Sequence, residues 1–489
     1  MPEPKSLSVA DISAHNTPND CWIVVSGKVY DITDFAPEHP GGAGIILKYA
    51  GRDATAAYDE FHAPSVIDEN LAPEKYLGVL DESSITPEWI KPPPSETKQL
   101  AFAGDKPPLP TLINTFDFEE VAQKTLSKKA WAFYSSAATD LITRDANRTA
   151  FDRVGFRPRV LRNVRQVSTR ARVLGCETDV PVMVSPAAMA KLVHPDGEKA
   201  LAEGASKKGV LQCVSSNASF PLAEIVPSTP PSYPFFFQLY VNKDRRKTTA
   251  LLQSIQSLGR VRAIFVTVDA PVAGKREADE RVKADDSLSS PMSGAKAAND
   301  KQGGGLGRIM GSYIDASLSW EDIPWLRSCT DLPIVIKGVQ SHMDAKMAME
   351  YGVEGIVVSN HGGRSLDTAP PALFILLEIQ RNCPEVLDSM EVFVDGGVRR
   401  GSDVLKAICL GATAVSVGRP FLYALSYGVE GVEHLIDILK DELETSMRMV
   451  GITDLSQAHP GLVNTLGVDH LIPSTTGHPY ARARPKSKL

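Results

Sequence analysis

The segment Ser359-Asn-His361-Gly-Gly-Arg364 brings two reactive side chains together directly after a short apolar run. An imidazole is the side chain best suited to proton transfer near neutral pH. A guanidinium binds a carboxylate through two parallel hydrogen bonds. A base three residues from a carboxylate-binding group therefore predicts oxidation at the carbon next to a carboxylate. Taken alone, the pair is equally consistent with a structural role.

Three further polar residues stand at the ends of other apolar runs. Asp269 is placed to pair with the imidazole and orient it. Tyr240 is suited to hydrogen-bond a substrate hydroxyl, and Lys337 to stabilise negative charge that develops during the reaction. Each alone is more often an ordinary polar group at a strand end. Together they favour an active site.

A phosphate site is indicated by Asp395-Gly-Gly-Val-Arg399 and by Gly418-Arg419, which follow the next two apolar runs. Glycine-rich loops after strands seven and eight of a barrel bind phosphate through backbone N–H groups. No G-x-G-x-x-G motif stands between a strand and a helix, which disfavours a nicotinamide-binding domain. FMN and a phosphorylated substrate both remain open, and the neighbouring base and arginine favour FMN.

Two histidines in the N-terminal part suggest a different cofactor. His39 precedes Pro-Gly-Gly, and His62 follows 23 residues later. Glycines after the first histidine let the backbone approach a flat ligand. Two imidazoles on opposing turns can ligate one haem iron from both faces, which leaves electron transfer as its role. The alternative is a pair of ordinary surface histidines.

The elements that must position these residues are eight short apolar runs separated by helical stretches. Such strands, buried on both faces, indicate a parallel sheet, and eight of them fit a (β/α)8 TIM barrel. We therefore expect an α/β barrel preceded by a small α+β haem domain. The runs begin at Val182, Val210, Phe235, Ala263, Pro333, Gly355, Val392 and Ala414.

Seven prolines between Pro87 and Pro110 predict a semi-extended linker, because proline fixes φ and removes a hydrogen-bond donor. The expected organisation is a haem domain over 1–84, a linker over 85–110, a barrel over 111–475 and a tail over 476–489. The segment 277–311 is longer than an ordinary loop between a strand and a helix. It predicts either a mobile loop over the barrel mouth or a disordered insertion.

Composition excludes several classes of function. The 489 residues are 43% hydrophobic and 23% charged, with a net charge of −7 and no clustered Lys and Arg, which argues against nucleic acid. The six cysteines form no C-x-x-C pair, so zinc ribbons and thioredoxin chemistry are not indicated. No apolar run approaches the ~20 residues needed to cross a bilayer, so no membrane partner is expected.

The two ends of the chain bear on localisation. The start has neither a signal-peptide core nor the Arg-rich stretch of a mitochondrial presequence. The last residues are Ser487, Lys488 and Leu489, the peroxisomal address. We expect a peroxisomal protein, with a cytosolic one as the alternative.

The sequence resembles two known protein families, one in each part of the chain. Residues 6–80, with Trp22-Ile-Val-Val-Ser-Gly-Lys-Val-Tyr-Asp and His-Pro-Gly-Gly, resemble cytochrome b5. Residues 111–470 resemble the FMN-dependent L-2-hydroxy acid dehydrogenases, of which Ser-Asn-His-Gly-Gly-Arg is the signature. The whole chain thus resembles the flavocytochromes that oxidise lactate and reduce cytochrome c.

The resemblance implies a role for each matching residue. His39 and His62 become the ligands of haem b. His361 becomes the base partnered by Asp269, with Tyr240 at the substrate hydroxyl. Residues implied to touch substrate are Phe133, Asn217, Tyr240, Arg276, His361 and Arg364. Residues implied to hold FMN are Pro186, Ala187, Ala188, Ser215, Gln238, Thr267, Lys337, Ser359, Asp395, Gly396, Gly397, Arg399, Gly418 and Arg419.

Three positions depart from the family pattern. Phe133 stands where a tyrosine usually touches the substrate carboxylate, and Ala187 stands where threonine is frequent. Asn217 stands where lactate-type members tend to have an apolar residue. A polar group in the side-chain pocket selects among acids. We therefore predict weaker lactate binding or a different preferred acid.

Two rival functions remain. The first is an oxidase that passes electrons from FMN to O2 and forms H2O2, which a peroxisomal address would favour. The second is an electron-transfer module with an inactive barrel, supported only by Phe133. The leading hypothesis passes electrons to haem b and on to a cytochrome c-like acceptor. Related barrels often form tetramers, so a homotetramer is expected.

Overall fold

A computed structural model describes residues 5–39, 46–59, 62, 66–86, 89, 106–285, 288–297, 299–300 and 303–474. The chain divides into two compact units, residues 1–99 and 100–489. No helix in the described ranges is long and apolar enough to span a membrane. The predicted tail over 476–489 lies outside the described residues.

The N-terminal unit is built on a six-stranded mixed sheet. Its strand order is β1-β6-β4-β3-β2, and β5 pairs in parallel with β3. The strands are β1 Ser6–Leu7, β2 Asn16–Thr17, β3 Asp20–Val25, β4 Lys28–Asp31, β5 Arg52–Asp53 and β6 Tyr76–Leu80. Within the described residues of this unit, three short helices accompany the strands: α1 Val9–Ser13, α2 Thr55–Asp59 and α3 Val66–Asn70. The predicted α+β class of this unit is confirmed.

The predicted boundary at residue 84 is too early. Trp89 is 9% exposed and packs with Leu7, Val24 and Leu80. Its indole Nε1 donates to the carbonyl of Gly51 at 3.0 Å. Tryptophan buries a large apolar area and satisfies its single donor here, so this residue joins the unit although prolines surround it.

The other end of the predicted linker belongs to the second unit. The Lys106 Nζ donates to the Ser426 carbonyl, and the Tyr427 hydroxyl donates to the Pro107 carbonyl at 2.8 Å. A 3-10 turn follows at Leu109–Thr111. Residues 90–105 of the predicted linker lie outside the described ranges.

The second unit contains a closed barrel of eight parallel strands, as predicted. All eight apolar runs form strands because their residues are buried on both faces. The strands are β10 Val182–Val184, β11 Leu211–Ser215, β12 Phe235–Leu239, β13 Val261–Thr267, β14 Ile334–Val339, β15 Gly355–Val358, β16 Glu391–Asp395 and β17 Ala414–Val417. Short pairs outside the barrel are β7 Gly155–Phe156 with β18 Val463–Asn464, and β8 Ala171–Val173 with β9 Cys176–Thr178.

Helices surround the barrel and close its ends. Those before the first barrel strand are α4 Thr115–Thr125, α5 Lys128–Ser135 and α6 Ile142–Asp152. Those between strands are α7 Gly197–Lys207, α8 Leu222–Ile225, α9 Arg245–Ser257, α10 Glu277–Glu280, α11 Leu306–Met310, α12 Ile323–Cys329, α13 His342–Glu350, α14 Ala372–Asn382, α15 Glu385–Ser389 and α16 Gly401–Cys409. The last are α17 Arg419–Ala424 and α18 Gly428–Val450.

The strand register places polar residues side by side at one end of the barrel. Ser215 pairs with Gln238, Thr267 pairs with Lys337, and Asp395 pairs with Ser416. A separate buried cluster of barrel-strand residues is apolar and contains Phe236, Phe265 and Phe393. The predicted concentration of polar residues at the carboxyl ends of the strands is thereby confirmed.

The segment 277–311 has defined structure over its described residues, so the prediction of a disordered insertion is wrong for them. It contains α10 and α11 and two isolated β-bridges. Apolar burial of Ala284, Ala297, Leu306 and Met310 explains the order. The segment also contributes Met310 to the lining of the barrel mouth, as the other alternative expected.

Candidate active site

A cavity of about 510 Å³ opens at the carboxyl ends of the barrel strands. This volume is typical of pockets that bind cofactors and small molecules. Its wall combines most of the predicted residues from distant parts of the chain. The predicted residues that line it are Phe133, Pro186, Ala187, Ala188, Ser215, Asn217, Gln238, Tyr240, Thr267, Arg276, Lys337, His361, Arg364, Asp395, Gly396, Gly397, Arg399, Gly418 and Arg419.

His361 is held by a buried carboxylate. Its Nδ1 lies 2.7 Å from Oδ1 of Asp269, and its Nε2 lies 3.4 Å from the Tyr240 hydroxyl. Burial would raise the pKa of the Asp269 carboxyl, but the charges of His361 and Lys337 lower it below its ordinary value. An ionised carboxylate at Nδ1 fixes the ring and leaves Nε2 free to accept a proton.

The backbone at His361 is unusual. Its φ is 59°, in the left-handed region, and Gly362 and Gly363 follow with φ of 64° and 77°. Gly363 is required there, because a Cβ would lie 2.5 Å from the backbone nitrogen of Arg144. The turn thus aims the imidazole into the cavity while its loop packs closely on α6.

The prediction that Ser359 binds the cofactor is not supported by the geometry. Ser359 is fully buried and does not line the cavity. Its hydroxyl accepts from Lys337 Nζ at 3.1 Å and from the His361 backbone N–H at 3.0 Å. Because its side chain is satisfied by these neighbours, Ser359 positions the two reactive residues.

Lys337 is a buried cation between carboxylates. Its Nζ lies 2.8 Å from Asp395 Oδ2. Burial would lower the pKa of this ammonium group, but the carboxylates of Asp395 and Asp269 raise it above its ordinary value. The other carboxylate oxygen of Asp395 is buried without a hydrogen-bond partner in the described part of the chain. An unsatisfied buried acceptor at the cavity wall suits a donor group on a bound cofactor.

Three guanidiniums surround the same cavity: Arg276 is buried, and Arg364 and Arg419 are half-buried. Their hydrogen-bond partners among the described residues are main-chain carbonyls rather than carboxylates. Arg364 donates to the carbonyls of Phe133, Tyr134 and Ser136. Arg419 donates to the carbonyls of Tyr134 and Ser136. Arg276 donates to the Arg364 carbonyl. Burial and the positive charges of Arg276 and Arg419 lower the pKa of Arg364 well below its ordinary value. Such a group of cations favours an anionic ligand.

The predicted phosphate loop has the expected backbone. Gly396 and Gly397 have φ of 91° and 89°, and a Cβ on Gly397 would lie 2.2 Å from the Asn147 carbonyl oxygen. Arg399, in contrast, forms an ion pair with Glu119 and donates to Thr115. Its positive charge is therefore partly neutralised by a carboxylate that also lines the cavity.

Several lining residues were missed by the sequence analysis. Phe116 and Glu119 come from α4, Arg144 and Arg148 from α6, and Ile314 from the region after the insertion. Spacing of four residues between the two arginines was the one available signal, since residues i and i+4 share a helix face. No motif marks the others, because they reach the cavity only through helix packing.

The three departures all line the cavity. Phe133 places its ring 5.3 Å from the Arg364 guanidinium carbon. Asn217 is 5% exposed, and its Oδ1 accepts a hydrogen bond from the Tyr313 hydroxyl at 3.1 Å. The cavity is therefore apolar at Phe133 and polar at Asn217.

These residues fit FMN. Ser215 and Thr267 are bound to Gln238 at 3.0 and 2.9 Å, which fixes the orientation of the amide. Polar groups fixed in this way recognise the flavin ring, and the cationic Lys337 suits the reduced form of that ring. The glycine loop, with Arg399 and Arg419, suits the phosphate of FMN.

The two predicted iron ligands also face each other. The rings of His39 and His62 have centroids 5.9 Å apart and planes inclined by 21°. The two rings are therefore neighbours in the fold, although 23 residues separate them in the sequence. The Nδ1 of each is buried without a partner in the described ranges. Two neighbouring, half-buried imidazoles with unsatisfied ring nitrogens fit axial ligation of haem iron. The Pro-Gly-Gly turn predicted beside His39 lies outside the described residues.

Comparison with protein families matches both units. Residues 122–465 match the family model for FMN-dependent dehydrogenase, and residues 8–81 match that for the cytochrome b5-like heme/steroid binding domain. This chain belongs to the FMN-dependent dehydrogenase family. It therefore uses FMN in the barrel and haem b in the N-terminal domain.

Individual relatives agree with this assignment. L-lactate dehydrogenase (cytochrome) of Saccharomyces cerevisiae is 46% identical over 94% of this chain and 80% of its own length. Glycolate oxidase 3 of Arabidopsis thaliana is 40% identical over 71% of this chain and 95% of its own length. The flavin-binding domain of baker's yeast flavocytochrome b2 superposes with a TM-score of 0.67 at 42% identity, covering 78% of this chain and 94% of that domain.

Proposed function

We propose that this enzyme oxidises a small L-2-hydroxy acid, similar to lactate, to the 2-oxo acid. We further propose that the electrons reach haem b and then a one-electron acceptor such as cytochrome c. The observation that carries the proposal is one cavity in which His361 is fixed by Asp269 and lies among the guanidiniums of Arg276, Arg364 and Arg419. In the described part of the chain these three guanidiniums donate to main-chain carbonyls. When bound, FMN accepts two electrons from the substrate, and haem b transfers electrons singly.

Each residue in the cavity has a defined task. Arg276 and Arg364 bind the carboxylate and compensate its charge. Tyr240 hydrogen-bonds the substrate hydroxyl, since its own hydroxyl lies beside His361 Nε2. His361 Nε2 accepts a proton that the substrate loses on oxidation, and Asp269 stabilises the imidazolium that results. An inactive barrel is disfavoured because Arg276, Arg364, Tyr240, His361 and Asp269 are all present and lie together at one site.

Asn217 supports a refinement of the substrate. Its amide is fixed by Tyr313 and faces a cavity that also contains Met310 and Ile314. A pocket that offers a hydrogen bond discriminates against substrates that leave the polar group unsatisfied. We propose that an L-2-hydroxy acid with a polar side chain is preferred to lactate.

The substrate proposal is tested by steady-state kinetics with L-lactate and L-glycerate. We expect Asn217→Leu to shift the ratio of kcat/KM values toward lactate by about tenfold. Tyr313→Phe, which releases the amide, should produce a smaller shift in the same direction. An unchanged ratio in both variants contradicts the refinement and leaves the oxidation itself intact.

The main experiment is anaerobic mixing of the purified protein with L-2-hydroxy acids while flavin and haem absorbance are recorded together. Flavin bleaching followed by haem reduction is the expected sequence. Bleaching without haem reduction would contradict electron transfer to haem and favour an oxidase. Absence of bleaching with every acid tested would contradict the proposed reaction.

The support for the oxidase alternative is the similarity of the barrel to glycolate oxidase 3, a relative with lower identity and coverage than L-lactate dehydrogenase (cytochrome). It predicts H2O2 in stoichiometric amounts with the 2-oxo acid in aerated buffer. A peroxidase-coupled assay, with and without oxidised cytochrome c, separates the two acceptors. We expect little peroxide when cytochrome c is present.

Localisation and assembly are also proposals. We propose a peroxisomal enzyme because of Ser487, Lys488 and Leu489, which lie outside the described residues. Imaging of a fluorescent fusion with and without this tripeptide tests the address, and an unchanged cytosolic signal contradicts it. The expected homotetramer is tested by light scattering.

A further inference from the structure

Lys129 is a buried lysine outside the cavity whose role no motif suggests. It lies near the start of α5 and is 9% exposed. Its Nζ donates to Oδ1 and the carbonyl of Asp279 at 2.6 and 2.7 Å, to the Val282 carbonyl at 2.8 Å and to the Gly304 carbonyl at 2.7 Å. One ammonium group thus binds both ends of the segment 277–311.

A short series of contacts leads from Lys129 to the substrate-binding region. The Asp279 carboxylate binds Lys129 through Oδ1 and accepts from the Gly307 backbone N–H through Oδ2 at 3.1 Å. Gly307 lies directly against Arg276, since a Cβ there would be 2.2 Å from the guanidinium Nη1. The position of Gly307 therefore limits where the Arg276 guanidinium can lie.

The same helix also contacts a second arginine. The carbonyls of Phe133 and Tyr134, near the end of α5, accept from Arg364 at 2.9 and 3.1 Å. Arg276 in turn donates from Nε to the Arg364 carbonyl at 3.3 Å. Helix α5 thus contacts the segment 277–311 at its first turn and Arg364, the partner of Arg276, at its last turn.

We propose that Lys129 is a positioning residue that fixes the insertion over the cavity and thereby sets the Arg276 guanidinium for the substrate carboxylate. Lys129 does not line the cavity and acts through Asp279 and Gly307. A buried cation that is satisfied by one carboxylate and three carbonyls holds the segment 277–311 in a specific geometry. The inference rests on the proposed function, because it assigns Arg276 to the carboxylate.

The test compares Lys129→Met with Lys128→Met, in which the neighbouring exposed lysine is changed. We expect Lys129→Met to raise KM for the hydroxy acid by about tenfold or more while kcat falls less than about threefold, since a displaced guanidinium weakens binding. Lys128→Met should match the parent. Lys129→Arg, which keeps the charge, should recover part of the affinity.

Limited proteolysis gives a readout that does not depend on activity. Cleavage between residues 277 and 311 should be at least several-fold faster in Lys129→Met than in Lys128→Met. Equal KM values and equal cleavage rates in the two variants overturn the proposal. An inactive parent enzyme contradicts the proposed function, and the cleavage rates still decide whether Lys129 fixes the insertion.

A second pair of variants covers the case in which Lys129→Met does not fold. Gly307→Ala places a methyl group against Arg276, whereas Gly155→Ala meets no atom within 4 Å. We expect Gly307→Ala to raise KM and Gly155→Ala to leave it unchanged. Equal KM values in this pair contradict the contact on which the inference depends.

Discussion

The haem pair and the barrel cavity satisfy their polar groups in different ways. His39 and His62 face each other with buried ring nitrogens that have no hydrogen-bond partner in the described residues. In the cavity, by contrast, Lys337 and His361 already have carboxylate partners in the protein. The haem site is completed by its cofactor, whereas the reactive groups of the flavin site are oriented by their neighbours.

This difference predicts how each site responds to mutation. A haem ligand has one task, so its loss should remove the cofactor and leave the other unit unaffected. Cavity residues share their tasks through hydrogen-bonded pairs, so their variants should give graded effects.

His361→Gln should reduce the rate of flavin reduction by about 10²–10⁴-fold, the usual contribution of a general base. The haem spectrum should be unchanged because His361 belongs to the other unit. Stopped-flow absorbance measures both quantities in one experiment. A rate within tenfold of the parent rate would show that His361 is not the proton acceptor.

His62→Ala should abolish haem binding, because one axial ligand is lost. Reduction of cytochrome c should fall by about 10²-fold or more, since the barrel then has no one-electron relay. Flavin bleaching by substrate should stay within about twofold of the parent. Undiminished cytochrome c reduction in a haem-free variant would show that the flavin reduces the acceptor directly.

Asp269→Asn should lower kcat by about 10–100-fold, because the imidazole loses its orienting carboxylate. The pKa of Asp269 is lowered, so its carboxylate is ionised above its ordinary pKa and its stabilising effect is lost only as pH falls through the lowered value. The deficit should therefore be constant from about pH 6 to about pH 9. A deficit that disappears within this range contradicts the assignment.

Phe133→Tyr should lower KM for lactate by about tenfold or more, because one added hydrogen bond to a charged group contributes about 1.5 kcal/mol or more. The Phe133 ring already lies near Arg364, so the new hydroxyl would enter the carboxylate region. Phe116→Tyr, on the phosphate side of the cavity, is the matched control. An unchanged KM in Phe133→Tyr would show that this hydroxyl is not needed here.

Glu119→Gln should have the smallest effect. Its carboxylate pairs with Arg399 and would repel a phosphate bound at the same loop. Removing the charge should strengthen FMN binding by about two- to fivefold, because this pair is only partly buried. Fluorescence titration of the apoprotein measures the change, and weaker binding would show that Glu119 orients Arg399 productively.

The sequence predicted the barrel well because each strand is a local pattern. Every apolar run became a strand, and the polar residues at their ends, such as Asp269 and Lys337, line or support one cavity. Local patterns failed where one residue acts at long range. Trp89 joined the N-terminal unit through a contact with Gly51, and Ser359 turned from the cavity toward Lys337.

Helix-borne residues were the least predictable. Glu119 reaches Arg399 across 280 positions of sequence, and Lys129 reaches Asp279 across 150. Neither pair has a spacing that a sequence pattern can report, since helix packing alone brings the partners together. The order within 277–311 was missed for the same reason, because its charged composition concealed the buried contacts.

The left-handed backbone at His361 has a consequence for the choice of substitutions at this position. Only glycine, and to a lesser degree Asn, Asp and His, adopt such a φ readily, whereas β-branched residues are strongly disfavoured. Valine or threonine would therefore alter chemistry and turn geometry together. A library that samples this site will return mostly Gly, Asn, Asp and His among its folded members, whether or not they can accept a proton.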